Sequence, residues 1–234
     1  LTLLGFPLRF RSLCWLHALL SRNEGSLTRQ FDIGVYYGRG LVVDMCLDAS
    51  PWGLGGFLTV QGRITSWFAC DLSQQEVQLL GITVGSSAAQ QVVEALVALV
   101  ALRGWSNLWS RQRARIKVRS DSISALVLCL NLKTKGDGTS IIAREIAVDI
   151  ADAVYAPHIV EYIPGVENTV ADMLSRKFAP GTTFEMPECL RGVEELVLPT
   201  RTREFYTTAV LPPELATRKR GQKRGSSNQD GGSV

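Results

Sequence analysis

LVVDMCLDAS at residues 41–50, followed by PWGLGG at 51–56, is the stretch that decides the fold. Leu41 to Leu47 is rich in Val and Leu, a composition typical of a buried β-strand. Pro51 and the glycines that follow it predict a turn directly after the strand. The strand therefore carries one carboxylate, Asp48, to its end, where the chain turns.

The residues downstream predict a mixed sheet with helices on its faces. Gly55 to Val60 and Arg63 to Cys70 follow as strands around the tight turn Gln61-Gly62, so three antiparallel strands come first. Helical patterns at 91–105, 123–132 and 139–156 then alternate with strands at 115–120 and 158–163, and a short helix follows Asn168. This order predicts an α/β fold with a five-stranded mixed sheet, in which two strands add in parallel to the antiparallel three.

Composition excludes several classes of protein. The chain has 234 residues, 46% of them apolar, which is enough for one large globular domain or a smaller one with flanking segments. Its five cysteines are scattered without a CxxC pair and its only histidines are His17 and His158, so a zinc site or a disulfide framework is not expected. Reduced thiols favour an intracellular location, cytoplasmic or nuclear. The longest charge-free apolar run, Ala95 to Leu102, is far too short to span a membrane.

The pattern divides the chain into three parts. Residues 1–40 predict only a weak amphipathic helix, and we interpret them as a connecting segment from a larger polypeptide. Residues 41–179 carry the α/β pattern. Residues 180–234 are interrupted by prolines and end in RKRGQKRGSSNQDGGSV, which is basic and predicted to be disordered.

Four carboxylates are candidates for a site. Asp48 ends a strand, although Asp is also common there as a turn former. Glu94 is the only charge in VVEALVALVAL, a helix apolar on every face, and that helix offers no Lys or Arg to pair with it, so a functional role is favoured. Asp121 follows a strand where ligand sites gather, but it could equally cap the next helix. Asp172 could be a first-turn acid favoured by the helix dipole.

Taken together, the four acids predict a metal site at one edge of the sheet. Carboxylates that cluster repel one another, so they are tolerated only with bound cations. Oxygen ligands favour Mg²⁺ or Mn²⁺ over zinc. Paired divalent ions are a known device for phosphodiester cleavage.

DASPWGLGG, VVEALVALVALRGW, VRSDSISAL and EYIPGVENTVADMLSR together resemble the ribonuclease H domain of retroelement reverse transcriptases. The resemblance covers about residues 41–179. It implies cleavage of the RNA strand of RNA–DNA hybrids with two Mg²⁺ ions, for which Mn²⁺ may substitute, and a reverse transcriptase domain upstream in the same polyprotein. By position it implies that Asp48 bridges both ions and that Glu94, Asp121 and Asp172 complete the ligand set. Many members carry a histidine before the last helix, where this chain has Tyr162, and His158 receives no role.

The substrate contacts are predicted from residue type and position. Gly53 and Gly55 lie beside Asp48 and would permit close approach of a sugar edge, although a hairpin turn explains them nearly as well. Lys133 and Lys135 flank the site side of the second helix and are candidate phosphate contacts, although a solvated loop is the default interpretation. Ser122 is also predicted to contact nucleic acid. The basic segment 103–119 or the C-terminal tail would add phosphate contacts.

Two other functions are consistent with the sequence. Retroelement copies decay, so the domain could be a catalytically inactive hybrid-binding or scaffolding remnant. A related nuclease or integrase acting on DNA is disfavoured, because NTVADMLSR is similar to the ribonuclease branch.

Overall fold

A computed structural model describes residues 40–111, 114–134, 136–152, 156–202 and 205–206, together with Leu16 and Tyr37. The predicted connecting segment 1–40 and the basic tail from residue 207 therefore lie almost entirely outside the described residues. The strands are β1 Leu41–Ser50, β2 Gly53–Val60, β3 Arg63–Asp71, β4 Ala114–Ser120, β5 Ala156–Tyr162 and β6 Glu194–Glu195. The helices are α1 Gln74–Leu80, α2 Gln90–Gly104, α3 Ser106–Arg111, α4 Ile123–Asn131, α5 Asp137–Asp152 and α6 Thr169–Ser175.

The strands form one mixed sheet in the order β5-β4-β1-β2-β3-β6. β1, β2 and β3 are antiparallel neighbours, whereas β4 adds parallel to β1 and β5 adds parallel to β4. The predicted mixed sheet of three antiparallel strands followed by two parallel ones is thus confirmed. A short sixth strand, β6, extends it by pairing parallel with β3.

The C-terminal half of β1 is buried on both faces, which accounts for its run of apolar residues. Residues 45–50 are all buried. Helix α2 packs on β1, and so does α6, which also packs on β2. A strand that is covered on both faces usually has a continuous run of apolar residues. The buried carboxylate of Asp48 is an exception to this pattern and requires an explanation.

Helix α2 is the centre of the core, as its all-round apolar sequence predicts. The residues from Ala95 to Leu102 are all buried. The helix packs against β1 as well as against α4 and α5. Glu94 lies at the edge of this buried surface and is half-buried.

Two helices were not predicted from the sequence. We interpreted residues 71–87 as a polar connector, but they contain α1, whose signal is a capping box. The Ser73 hydroxyl accepts from the Glu76 main-chain N–H, and the Glu76 carboxylate accepts from the Ser73 N–H. Because α1 has only seven residues, its apolar periodicity is too short to be recognised. Helix α3 lies within the basic segment.

Packed structure continues past residue 179, the boundary that the sequence predicts. We call residues 187–202 with Phe205 and Tyr206 the C-terminal segment. Leu190, Phe205 and Tyr206 are buried in it. Trp67 Nε1 donates to the main-chain carbonyl of Val193, at 3.1 Å. Among the described residues, no helix is both long enough and apolar enough to cross a membrane.

Candidate catalytic site

Asp48 lies near the end of β1 and is only 8% exposed. Its Oδ2 accepts a hydrogen bond from the Ser175 hydroxyl at 2.6 Å. The Ser50 hydroxyl in turn donates to the Ser175 main-chain carbonyl at 2.7 Å. These two bonds tie the end of β1 to the end of α6, so the Asp48 carboxylate has a defined orientation.

Asp121 is brought beside Asp48 by the register of the parallel strands. Cys46 of β1 pairs with Arg119 of β4. Asp48 and Asp121 each follow two residues later on neighbouring strands that run in the same direction. Asp121 is exposed, and the turn at Gly165 passes over it, since a Cβ on Gly165 would lie 3.1 Å from Asp121 Oδ2.

Asp172 reaches the same edge from α6. Its Oδ1 accepts from Arg176 Nε at 2.6 Å, an ion pair between residues one helical turn apart. Both side chains are partly exposed, so this pair contributes little to stability. Its effect is to hold the Asp172 carboxylate beside the end of β1.

Asp121 and Asp172 both lie close enough to Asp48 to influence its charge state. The pKa of Asp48 is raised from its ordinary value of 3.8 to about 7 by all of its surroundings together, and burial is the largest cause. The Ser175 hydrogen bond lowers the pKa of Asp48, the negative charges of Asp121 and Asp172 add to the increase, and Arg176 acts against it. Repulsion from both carboxylates is felt at Asp48 because all three lie at one edge of the sheet.

The raised pKa of Asp48 makes stability depend on pH. Between about pH 4 and pH 7 the folded state keeps a proton that the unfolded state has lost, so stability falls as pH rises through this window. Asp48→Asn cannot ionise, and its amide oxygen can still accept from Ser175. We expect it to raise the free energy of unfolding at pH 8 by about 1–4 kcal/mol, a gain that disappears near pH 4. Urea unfolding in chelator measures this difference.

A matched control is Glu185→Gln, at an exposed acid that is not among the charges shifting the pKa of Asp48. It should change stability by less than about 0.5 kcal/mol at either pH. An Asp48→Asn variant no more stable than wild type at pH 8 would contradict a buried, charged Asp48.

Glu94 has a partner that the sequence did not indicate. We inferred a functional role because its own helix offers no basic side chain. In the structure its Oε2 accepts from the Ser122 hydroxyl at 2.5 Å and from the Ser124 hydroxyl at 3.4 Å. The premise of a fully buried, unpaired charge was therefore wrong, because the partners come from the start of α4, which only the tertiary fold brings near. Glu94 nevertheless contacts Ser122, the residue that follows Asp121.

Ser122 connects Glu94 to the strand that carries Asp121. It is the N-cap of α4, and its hydroxyl accepts from the Ala125 N–H at 3.2 Å while donating to Glu94. The sequence allowed Asp121 to be the N-cap of this helix, but in the structure the N-cap is Ser122. This frees the Asp121 carboxylate from a capping role. A contact between Ser122 and nucleic acid stays a prediction.

The structure gives Gly53 and Gly55 a packing reason. A Cβ on Gly53 would lie 2.7 Å from the Cys70 carbonyl oxygen of β3 and 3.0 Å from the Ser175 carbonyl oxygen of α6, and one on Gly55 would lie 2.6 Å from Leu174 Cβ of α6. Both glycines therefore allow α6 to approach β2 closely, which brings Asp172 towards β1. Their predicted contact with nucleic acid is not tested. Lys133 is exposed after α4, and Lys135 lies outside the described residues.

The basic segment is largely engaged within the protein. Arg103 binds Asp149 at 2.7 Å and Glu145 at 2.8 Å, and Glu145 is fully buried. Lys117 and Arg119 both bind Glu161, at 2.5 Å and 2.9 Å. The expectation that this segment supplies phosphate contacts is therefore not supported for Arg103, whose guanidinium is occupied in the core.

The four carboxylates fit divalent cations by donor type. All are oxygen donors, and charge repulsion at Asp48 is what a bound cation would relieve. Among the described residues, however, no group of three or more His, Cys, Asp or Glu side chains is placed to hold one ion. Asp48, Glu94 and Asp172 instead have separate partners: Ser175, Ser122 and Arg176.

Comparison with solved structures finds similarity to LC11-RNase H1, a ribonuclease H1 isolated from compost by a metagenomic approach. The TM-score is 0.43 and the identity 17%, and the match covers 59% of this chain and 94% of that chain. No protein-family model matches the chain, and no curated protein does. A similarity of this size carries no conclusion about function.

Proposed function

We propose that this chain is a divalent-metal-dependent endonuclease that cleaves the RNA strand of RNA–DNA hybrids. The observation that supports it best is that Asp48 lies buried near the end of β1, close enough to Asp121 and Asp172 for both charges to raise its pKa. Glu94 accepts a hydrogen bond from Ser122, the residue after Asp121. The quoted motifs that resemble retroelement ribonuclease H carry all four of these residues.

Asp48, Glu94, Asp121 and Asp172 would hold Mg²⁺, with Mn²⁺ as a substitute. When bound, such ions activate a water molecule for attack on phosphorus and stabilise the leaving 3′ oxygen. The protein's own contribution is orientation: Ser175 holds Asp48, Ser122 holds Glu94 and Arg176 holds Asp172. The substrate would be a hybrid delivered by a reverse transcriptase domain of the same polyprotein inside the cell.

The test is incubation with end-labelled RNA–DNA hybrid, duplex RNA and duplex DNA, each with Mg²⁺ and with chelator. We expect cleavage of the RNA strand of the hybrid alone, only with Mg²⁺, leaving 5′ phosphates. Cleavage of duplex DNA, or none of any substrate, would contradict the proposal. Mg²⁺ should also raise the melting temperature, more at pH 8 than at pH 6, because protons compete with the ion for Asp48.

One observation favours a second candidate, a hybrid-binding domain without catalysis. Asp172 is already neutralised by Arg176, and the described carboxylates are not gathered around a common point. Binding of the hybrid without cleavage at saturating Mg²⁺ would identify this candidate.

A further inference from the structure

Strand β1 loses one of its two strand partners just before Asp48. Its pairing with β4 ends at Cys46, whereas its pairing with β2 continues to Ser50. Beyond Cys46 the main chain of β1 therefore needs hydrogen-bond partners other than β4. Two of its carbonyls, those of Leu47 and Ala49, find them in side chains, and these are the residues on either side of Asp48.

The two donors are side-chain amides from two different helices. Asn168 Nδ2 donates to the Leu47 carbonyl at 3.0 Å, and this bond is buried. Gln90 Nε2 donates to the Ala49 carbonyl at 2.7 Å. Each bond joins residues far apart in sequence, so each forms only when its helix is docked on the sheet.

Both amides have the same spacing to a candidate ligand. Gln90 is the first residue of α2, four residues before Glu94. Asn168 is the N-cap position of α6, four residues before Asp172. Residues four apart lie on one face of a helix about 5–6 Å from each other. The hydrogen bond from Gln90 to β1 therefore fixes the distance between Glu94 and Asp48. The hydrogen bond from Asn168 does the same for Asp172.

A simpler role as helix caps does not account for these side chains. We predicted that Asn168 caps the last helix, but its side chain makes no capping hydrogen bond, and the start of α2 has no side-chain cap either. Asn168 is 3% exposed, and its Oδ1 has no hydrogen-bond partner in the described structure. The side chain of Asn168 is therefore oriented so that its Nδ2 donates to the Leu47 carbonyl, while its buried Oδ1 has no partner in the described structure.

We propose that Gln90 and Asn168 are positioning residues, which bind the main chain on either side of Asp48 and thereby place Glu94 and Asp172 for cation binding. The inference rests on the proposed nuclease function. An uncharged amide suits this task, because a Lys or Arg in its place would pair with the carboxylates and compete with the cation. Displacements of about 1 Å at such a site lower rates by roughly 10²-fold.

The test uses the full chain with Gln90→Met, Asn168→Ser and the double variant. Serine keeps a capping residue but is too short to reach Leu47. We expect kcat to fall about 10- to 100-fold for each single variant, with half-activation by Mg²⁺ shifted upward by a similar factor. The KM for the hybrid should change by no more than about twofold. Exposed controls of the same types, Gln78→Met and Asn131→Leu, should behave as wild type.

A second readout does not depend on activity. Mg²⁺ titration followed by calorimetry should show weaker binding to both variants than to wild type. A variant that unfolds at lower urea but keeps the wild-type kcat and Mg²⁺ dependence would show a purely structural role and overturn the proposal. If Asn168→Ser does not fold, Gln90→Met, at a half-buried position, decides the matter.

The outcomes also separate this inference from the function on which it rests. If wild type cleaves hybrid and both variants cleave equally well, the positioning role fails and the nuclease stands. If wild type cleaves nothing but binds Mg²⁺ more tightly than the variants, the positioning role stands and the nuclease fails. If wild type neither cleaves nor binds Mg²⁺, both are overturned.

Discussion

Asp121→Asn is expected to lower the rate of hybrid cleavage by about 10²- to 10³-fold while leaving the fold intact. Asp121 is exposed, and its hydrogen-bonding role at the start of α4 belongs to Ser122. Removing its charge therefore costs little stability, but it removes an anionic oxygen ligand from the sheet edge. Loss of one such electrostatic group typically costs 10²–10³-fold in rate. Single-turnover cleavage of labelled hybrid at saturating Mg²⁺ measures the effect.

The same variant has a second expected consequence, because Asp121 raises the pKa of Asp48. Without that negative charge the pKa of Asp48 should move down, and the fall in stability between pH 4 and pH 7 should become smaller. Glu185→Gln serves again as the exposed control and should cleave at the wild-type rate. If Asp121→Asn cleaved at the wild-type rate, Asp121 would not be a catalytic residue, and the proposed function would lose one of its four metal ligands.

Arg201→Met is expected to lower the free energy of unfolding by about 3–5 kcal/mol. Glu76 is fully buried in α1, and its Oε1 accepts from Arg201 Nε at 2.7 Å and from the Tyr206 hydroxyl at 2.7 Å. Arg201 also donates to the Asp71 main-chain carbonyl. Methionine fills similar space but leaves the Glu76 carboxylate buried without a compensating cation. The free-energy cost of an uncompensated buried charge is larger than the net stabilisation from the intact ion pair. Urea unfolding measures the change.

Two further variants identify the cause of that loss. Arg191→Met, at an exposed arginine of the same C-terminal segment, should change stability by less than about 0.5 kcal/mol. Adding Glu76→Gln to Arg201→Met removes the uncompensated charge and should recover more than half of the loss. If the double variant is as unstable as Arg201→Met, the buried charge is not the cause. An Arg201→Met variant as stable as wild type would contradict a stabilising role for the Glu76–Arg201 pair.

Much of the fold could be predicted because its signals are local. The apolar strand before Asp48, the all-round apolar α2 and the short helix around Asp172 are each recognisable within a few residues. Strand directions followed from the order of elements, since short connections favour antiparallel pairs and helical crossovers favour parallel ones. Helices α1 and α3 and strand β6 were missed, because each is too short to show a periodicity.

The partners of the candidate site residues could not be predicted in the same way. Ser122 and Glu94 are separated by 28 residues, and Ser175 and Asp48 by 127. Gly53 and Gly55 suggested a turn beside a ligand, but their surroundings are the backbone of α6. Ser175 lies one helical turn after Asp172, so its spacing could have placed it on the same face of α6. No feature of the nearby sequence, however, indicates that its hydroxyl donates to Asp48.

The sequence by itself determined which residues form strands and helices and which carboxylates stand at their ends, because these depend on local propensity and periodicity. Only the tertiary structure decided how those carboxylates are held. Docking of α2 and α6 on opposite faces of β1 brings Gln90 and Asn168 to its unpaired carbonyls and buries Asp48 beside two other acids. Burial and long-range hydrogen bonding are properties of the packed chain, and they set the charge state and orientation on which the chemistry depends.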